Sequence, residues 1–435
     1  MKMKKVVSLL LAGAMVLGMS ACSSSEEPAD NGGDSGDGKT IEILWPESDS
    51  TQVDVMENYI QPALEENFPD ITFEYTPITN KQGDSPVKTL SASGDLPEIF
   101  FTGGSDIDAI LGAGDALDVS KYLGDGWVEE NYTNPDLLYN GDAIYFLTAG
   151  QNAYYSPVFY YNKAVFDENG IAEPTNMDEF VAACQKLADA GITPITMAQW
   201  TSSYSLIDGI IASAAPDAFL DLTTRDCDWT DSRVKDALGY FDDLKKMGAF
   251  TADIATKDDA TAYSEFQSGN AAMILTYSWF NGDMVQDKLG FEAGSFSFPN
   301  SSEDYIQLIF EPRKGNGGGY TANANYDDPQ LLTDILKVMV EAESERHNAS
   351  GVRTNFIVDD PAEPANAFEE ERYADYERAS QQVSVLEQGQ MDGVTIAEFT
   401  TLYNMLVSDD QSYLSENFIE EFQPIWEANT YGPTE

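Results

Sequence analysis

The sequence predicts an α/β fold built from doubly wound sheets, and three observations lead there. Segments with the two-residue period of strands alternate with segments of helical period along the first part of the chain. The 435 residues suffice for two or three domains at roughly 100–200 residues each. A hydrophobic content of 42% can fill their cores, so the excess of acidic over basic side chains, 75 against 23, does not mark a disordered chain.

Ile41-Glu-Ile-Leu-Trp45 is a β-rich run stopped by Pro46, and Val53, Met56, Tyr59, Ile60, Ala63 and Leu64 then recur at helical spacing up to Phe68. Ile71, Phe73 and Tyr75 alternate as a second strand. Val87 to Ala92 reads as a short helix, and Glu98 to Phe101 as a strand ending in the turn Gly103-Gly104. Further strands are expected at Ala143 to Thr148 and Pro157 to Tyr161. Asn176 is a candidate N-cap with Glu179 three residues on, and the face Phe180, Val181, Cys184, Leu187 and Ala188 ends at Gly191. A second such helix lies between Asp231 and Gly248, and Ala271 to Thr276 is a buried strand. From Asp327 onward four helical stretches follow: Leu331 to Met339, Phe368 to Ala379, Ile396 to Val407 and Leu414 to Ala428. No repeat of solenoid length is present.

The amino terminus carries an address. Lys2, Lys4 and Lys5 precede an apolar stretch from Val6 to Met19, shorter than the roughly 20 residues of a spanning helix. The junction Met19-Ser20-Ala21-Cys22 resembles the lipobox of bacterial lipoproteins, with Met19 where Leu is usual. The resemblance implies removal of residues 1–21 as a signal peptide and a diacylglyceryl group on Cys22, which anchors the chain to the bacterial cell membrane on its extracytoplasmic side. Two acyl chains meet the requirement for stable anchoring. Residues 22–39, rich in Ser, Gly and acids and without aromatics, read as a flexible tether.

Charge excludes several function classes. A formal net charge of −52 leaves no basic face for nucleic acid. With His347 as the single histidine, a histidine-rich metal site or a Ser-His-Asp triad has almost nothing to build on, and His347 itself sits in a charged run that reads as a solvated helix end. Asp226-Cys-Asp-Trp-Thr-Asp231 lacks the glycine and terminal Glu of a calcium loop, and Asp231 serves better as an N-cap. Asp258-Asp259 suits a helix start, and Glu369-Glu-Glu371 an exposed helical face. Cys184 and Cys227 are expected as two buried free thiols, with a disulfide between them as the alternative.

Three stretches resemble one family. Ser93-Gly-Asp-Leu-Pro-Glu-Ile-Phe is similar to its small-Gly-x-x-Pro-Asp-hydrophobic segment. Tyr160-Tyr-Asn-Lys through Gly170-Ile and Pro174-Thr-Asn-Met-Asp-Glu-Phe180 is similar to its Tyr-Asn-Lys and Pro-x-Thr sequence. Glu265-Phe-Gln-Ser-Gly-Asn-Ala-Ala-Met, with Trp279 downstream, is similar to its Phe-x-x-Gly-x-Ala-Ala-Met segment. The family is that of extracellular solute-binding proteins serving carbohydrate ABC importers, the maltose-binding-protein-like group. The resemblance implies a periplasmic-binding-protein-like type II fold of two doubly wound α/β lobes: 40–150 plus about 317–358, and 151–316 plus about 359–435. The chain would cross a hinge near Gln151, between Ser297 and Gly317, and around Val358. It further implies a carbohydrate ligand, permease subunits as partners, a monomer, no cofactor, no metal and no catalytic residue.

A sugar presents hydroxyls on its rim and C–H groups on its face, so its site needs aromatic platforms with amides and carboxylates beside them. The residues that the strand ends and the resemblance bring forward are Trp45, Glu47, Thr102, Asp106, Gln151, Tyr155, Trp200, Tyr204, Tyr277, Trp279 and Tyr320. Trp279 and Trp200 lead, the latter expected in a loop after Ile192 to Met197; a core role for Trp45 weighs evenly with binding. Two other readings stay open at this point: the same fold binding a polyamine or peptide, and a surface glycoside hydrolase using two of the 75 acids.

Overall fold

The computed structural model describes residues 39–47, 50–78, 86–102, 106–150, 155–300, 305–310 and 318–430. The expected signal peptide, Cys22, nearly all of the tether, and Gln151 lie outside the described residues. Ten strands are present among those described: β1 Lys39–Pro46, β2 Ile71–Ile78, β3 Ile99–Thr102, β4 Pro157–Asn162, β5 Thr193–Met197, β6 Ala271–Tyr277, β7 Ala293–Phe296, β8 Ile306–Ile309, β9 Gly319–Ala322 and β10 Gln381–Ser384.

They form two four-stranded sheets and one pair. The first sheet has the order β2-β1-β3-β9 and the second β5-β6-β4-β7, while β8 pairs with β10. β1 runs parallel to β2 and β3, and β5 parallel to β6, as helical crossovers require. Neither sheet is wholly parallel, however. β9 joins β3 antiparallel, and β4 is antiparallel to both β6 and β7. β9 comes from a segment far along the chain, so no single crossover helix fixes its direction relative to β3.

Each sheet has its own core. Ile41, Ile43 and Ile99 of the first pack with Leu332, Leu336 and Met339 of the helix Pro329–Ala349. Phe159, Met273 and Leu275 of the second belong to a cluster with Phe180, Leu187, Leu238 and Phe241 of the helices Met177–Asp189 and Ser232–Met247. All seven residues of β6 are buried, as a strand covered on both faces must be. Trp229 anchors the carboxy-terminal helix Ser415–Ala428 by edge contacts with Phe418, Phe422 and Trp426, at centroid distances of 5.8, 5.2 and 6.0 Å.

The capping expectations agree with the structure: Asn176 Oδ1 accepts from Glu179 N at 3.0 Å, Asp231 Oδ1 from Arg233 N at 2.8 Å, and Gly248 closes its helix in the left-handed region. Others need correction. Ala143 to Thr148 forms isolated bridges instead of a strand, because its pairings are confined to Ala143 with Asn140 and Leu147 with Tyr320. Residues Gln199–Ala214 form a helix, not a loop. His347 is buried, not solvated, and burial pushes its imidazole down to about 4. Glu369 is buried too, for a reason given below. Cys184 and Cys227 are both free thiols, but only Cys184 is fully buried.

Where residues 147–150 meet residues 355–357, the chain is held tightly. Phe356 N donates to Ala149 O at 3.0 Å, and Ala149 N donates to Glu343 Oε2 at 2.9 Å. Gly150 has φ 71°, and a Cβ there would lie 2.6 Å from Asn355 Cβ. Two separate costs therefore oppose any side chain at 150. Gly150→Ala should lower the unfolding free energy by about 1–3 kcal/mol, measured by urea denaturation.

Glu343 is fully buried beside Tyr132 and Tyr320, and burial pushes its carboxyl up to about 7 despite the bond from Ala149, which favours the ionised form. The folded chain thus retains a proton that the unfolded chain releases near 4.5, so this contribution is complete at low pH and is lost as pH rises towards about 7. Glu343→Gln should gain stability relative to the parent across that window, by about 3 kcal/mol in total. Parallel stability curves for the two proteins, from denaturation at a series of pH values, would contradict this.

Candidate functional site

The helix Gln199–Ala214 follows β5 and places Trp200 in its first turn and Tyr204 one turn on. Tyr277 is the last residue of β6, and Trp279 sits in the short turn Ser278–Phe280 that follows it. Antiparallel pairing sets Pro157 of β4 against Tyr277, so Tyr155 arrives at the same edge from the other direction. Backbone bonds fix the junction: Ser278 N donates to Ser156 O at 2.9 Å, and Phe310 N, just past β8, donates to Tyr155 O at 2.7 Å. Five of the expected residues therefore meet beyond the carboxyl ends of β5 and β6, where open α/β sheets hold ligands.

Their rings form one assembly. Tyr277 and Trp279 stack at 4.5 Å and 9°, and Trp200 lies nearly parallel to both, at 5.4 and 5.7 Å. Tyr155 meets Trp279 edge-on at 5.4 Å. Phe310, which sequence reasoning missed, meets Tyr277 and Trp279 edge-on at 4.9 and 5.3 Å. Tyr277 is wholly buried and forms the backing, whereas Tyr155, Trp200, Tyr204, Trp279 and Phe310 are only partly buried. The indole of Trp200 is fixed by donation to Asp259 Oδ2 at 2.8 Å, so Asp259 does more than start a helix. Burial raises the Asp259 carboxyl, while the bond from Trp200 lowers it.

Behind Tyr277 lies a polar layer. Ser205 Oγ donates to the Tyr277 hydroxyl at 2.8 Å. Asp208, one turn on, accepts from Leu386 N at 2.6 Å. Asp208 Oδ1 and both oxygens of Glu387 are buried with no hydrogen-bond partner among the described residues. Burial pushes both carboxyls upward, and for Glu387 the charge of Asp208 adds to it. The pair thus holds protons at pH values where exposed acids would have lost them.

Of the six remaining expected residues, Gln151 lies outside the described ones, and the other five belong to the first sheet or to the segments that follow its strands. Trp45 and Tyr320 are buried in its core, with Tyr320 edge-on to Phe101 at 5.5 Å. Thr102 is buried and bonded to Thr321 Oγ1 at 3.0 Å, and Asp106 is paired with Lys88 at 3.0 Å. Glu47 alone stands exposed, on the loop after β1. Among the described residues no group of three His, Cys, Asp or Glu side chains could hold a metal ion. No helix among them is long and apolar enough to cross a membrane.

Residues 48–345 match the family model described as bacterial extracellular solute-binding protein. The chain belongs to that family. A stretch of 194 residues is 26% identical to the "Probable sugar-binding periplasmic protein" of Brucella suis biovar 1, and equally to that of Brucella melitensis biotype 1. This alignment spans 42% of the chain and 40% of each relative's length. Among solved structures, a "Chitin oligosaccharide binding protein" is similar at TM-score 0.68 and 21% identity, covering 91% of this chain and 99% of that one. A protein solved in work on xylan utilization by Caldanaerobius polysaccharolyticus gives 0.70 at 18%, covering 89% and 99%. The solute-binding protein RafE in complex with raffinose gives 0.63 at 18%, covering 89% and 99%. At these identities the likeness establishes the fold, periplasmic-binding-protein-like type II.

If the partly buried rings hold ligand, truncating them costs affinity and little else. Trp279→Ala and Trp200→Ala should each weaken saccharide binding by about 1–3 kcal/mol, measured by calorimetry, with the ligand-free melting temperature nearly unchanged. Unaltered affinity in both variants would remove this wall from the site.

Proposed function

We propose that the chain captures a neutral sugar or oligosaccharide between two lobes and delivers it to the permease of an ABC importer. The observation that carries this reading is the assembly of partly buried rings around Trp279 beyond the carboxyl ends of β5 and β6. Such rings suit the C–H faces of a pyranose. The lobes would be 40–150 with about 317–358, and 151–316 with about 359–435; the separate cores of the two sheets support this division. Glu47, Thr102, Asp106 and Gln151 would supply polar contacts from the first lobe and the crossing, with Asp106 and Thr102 exchanging their present partners. Tyr155, Trp200, Tyr204 and Trp279 would supply the platform, Tyr277 its backing, and Trp45 and Tyr320 a rigid support.

Residues 1–21 would be removed and Cys22 acylated, leaving a monomeric receptor on the outer face of the membrane. The ligand is released unchanged, so no residue acts as a catalyst. The net charge of −52 favours a neutral ligand over an anionic one. The names of the similar proteins, which include chitin oligosaccharide and raffinose, point to oligosaccharides.

A thermal-shift series with raffinose, chitin and xylan oligosaccharides, monosaccharides, spermidine and short peptides tests this reading. A saccharide at 100 times its Kd should stabilise the protein by about 2.7 kcal/mol, and it should be recovered intact. Stabilisation by spermidine or peptide alone would overturn the sugar assignment, and appearance of hydrolysis products would overturn the receptor assignment.

A further inference from the structure

The carboxylates at 369–371 read in sequence as a solvated face, yet Glu369 and Arg372 are each 4% exposed and form an ion pair in the interior. Arg372 Nε donates to Glu369 Oε2 at 2.9 Å. The other carboxylate oxygen, Oε1, accepts from Asn281 Nδ2 at 2.9 Å, and Asn281 Oδ1 in turn accepts from the Tyr160 hydroxyl. Asn281 is two residues beyond Trp279, on the same short turn. Every polar atom on this path is thus engaged, from the helix Ala367–Arg378 to the turn that carries the leading ring.

Arg372 also faces the opposite side of that ring's contact. Its guanidinium carbon lies 5.3 Å from the centroid of Tyr155, the residue that meets Trp279 edge-on, and 4.6 Å from that of Tyr373. Arg372 Nη2 donates to the Tyr373 hydroxyl at 3.1 Å, that hydroxyl accepts from Arg353 N at 2.6 Å, and it reaches Gly351 O at 3.3 Å. Gly351 follows the helix Pro329–Ala349, which packs on the first sheet. One cation is therefore linked to three separate stretches of chain: directly to Tyr155 in the lead into β4, through Glu369 and Asn281 to the turn after β6, and through the Tyr373 hydroxyl to the connection at 351–353.

The geometry points to Arg372, with Glu369, as a positioning residue for ligand recognition. It holds Trp279 and Tyr155 in their edge-to-face arrangement and ties that wall to the connection at Gly351 and Arg353. This rests on the functional reading above only for the word ligand; the positioning itself is a property of the free protein. A buried ion pair contributes little net stability compared with apolar residues of similar size, and its retention fits a role in fixing geometry. Removing only one partner would strand the other, so the informative changes remove both or spare both.

The test uses the full chain with three variants: Glu369→Leu combined with Arg372→Met, which deletes both charges at similar bulk; Arg372→Lys, which keeps the charge without the planar fork; and Asn281→Ala, which cuts the turn from the ion pair. The readout is near-ultraviolet circular dichroism of ligand-free protein, taken as the difference between each variant and its own Trp279→Phe derivative. Only the couplings of Trp279 contribute to that difference. The double variant and Asn281→Ala should lose roughly half of the signal or more, with Arg372→Lys between them and the parent. Raffinose or triacetylchitotriose, whichever binds the parent, should bind about tenfold more weakly or worse to the double variant. A full difference signal in Asn281→Ala, or in a folded double variant, overturns the proposal. If neither saccharide binds the parent, the saccharide that stabilises it most in the thermal-shift series takes their place, and failure of every saccharide there sinks the functional reading separately; the dichroism decides the positioning role in either case.

Discussion

Antiparallel pairing of β4 with β6, which sets Pro157 against Tyr277, is the constraint on which the recognition wall depends. A strand running parallel to β6 would deliver its leading residues to the far edge of the sheet. Because β4 runs the other way, its amino end lies beside the carboxyl end of β6, and Tyr155 comes to meet Trp279. The complete burial of β4 and β6 makes this register rigid, since a slip by one residue would turn every side chain to the wrong face. Trp200 reaches the same edge by the ordinary route, through parallel β5 and its following helix.

The interior behind the wall is unusually polar for so central a place. Ser205, Asp208 and Glu387 back Tyr277, and the Glu369–Arg372 pair backs Tyr155 and Trp279. Buried polar groups are costly unless paired. The first group meets that cost partly by holding protons, the second by a closed set of hydrogen bonds. In both cases the polar groups abut rings that face the site, which argues for geometry as their use.

Much of this was legible in the sequence, and the failures are instructive. Trp279 stood out because it lies just downstream of Phe266-Gln-Ser-Gly-Asn-Ala-Ala-Met273, the segment where the family resemblance is most specific, and just past the strand Ala271 to Thr276. The helix caps at Asn176 and Asp231 were equally plain, since a cap is a local hydrogen bond between near neighbours. The helix Gln199–Ala214 was hidden because Ala198 offers no side-chain cap and the buried serines 202, 203 and 205 dilute its apolar face. Glu369 was misread since its partner Asn281 is 88 residues away, and three successive acids look like a wet surface. Phe310 follows a four-residue strand and carried no signal at all. In the first sheet Thr102 ends β3 and Tyr320 lies at the start of β9, with Asp106 at the head of the helix Ile107–Ala113, but their present partners are a hydroxyl, a core and an amine, which spacing along the chain could not reveal.

Two sheets with separate cores fit the proposed division into two lobes, which would close on the ligand about the chain crossings between them. Small-angle scattering tests that central claim most directly, with the saccharide that stabilises the protein most. The account predicts a smaller radius of gyration with saturating saccharide than without, and the same decrease abolished when Trp279 and Trp200 are both alanine. An unchanged radius at full occupancy of the parent protein would contradict closure on the ligand.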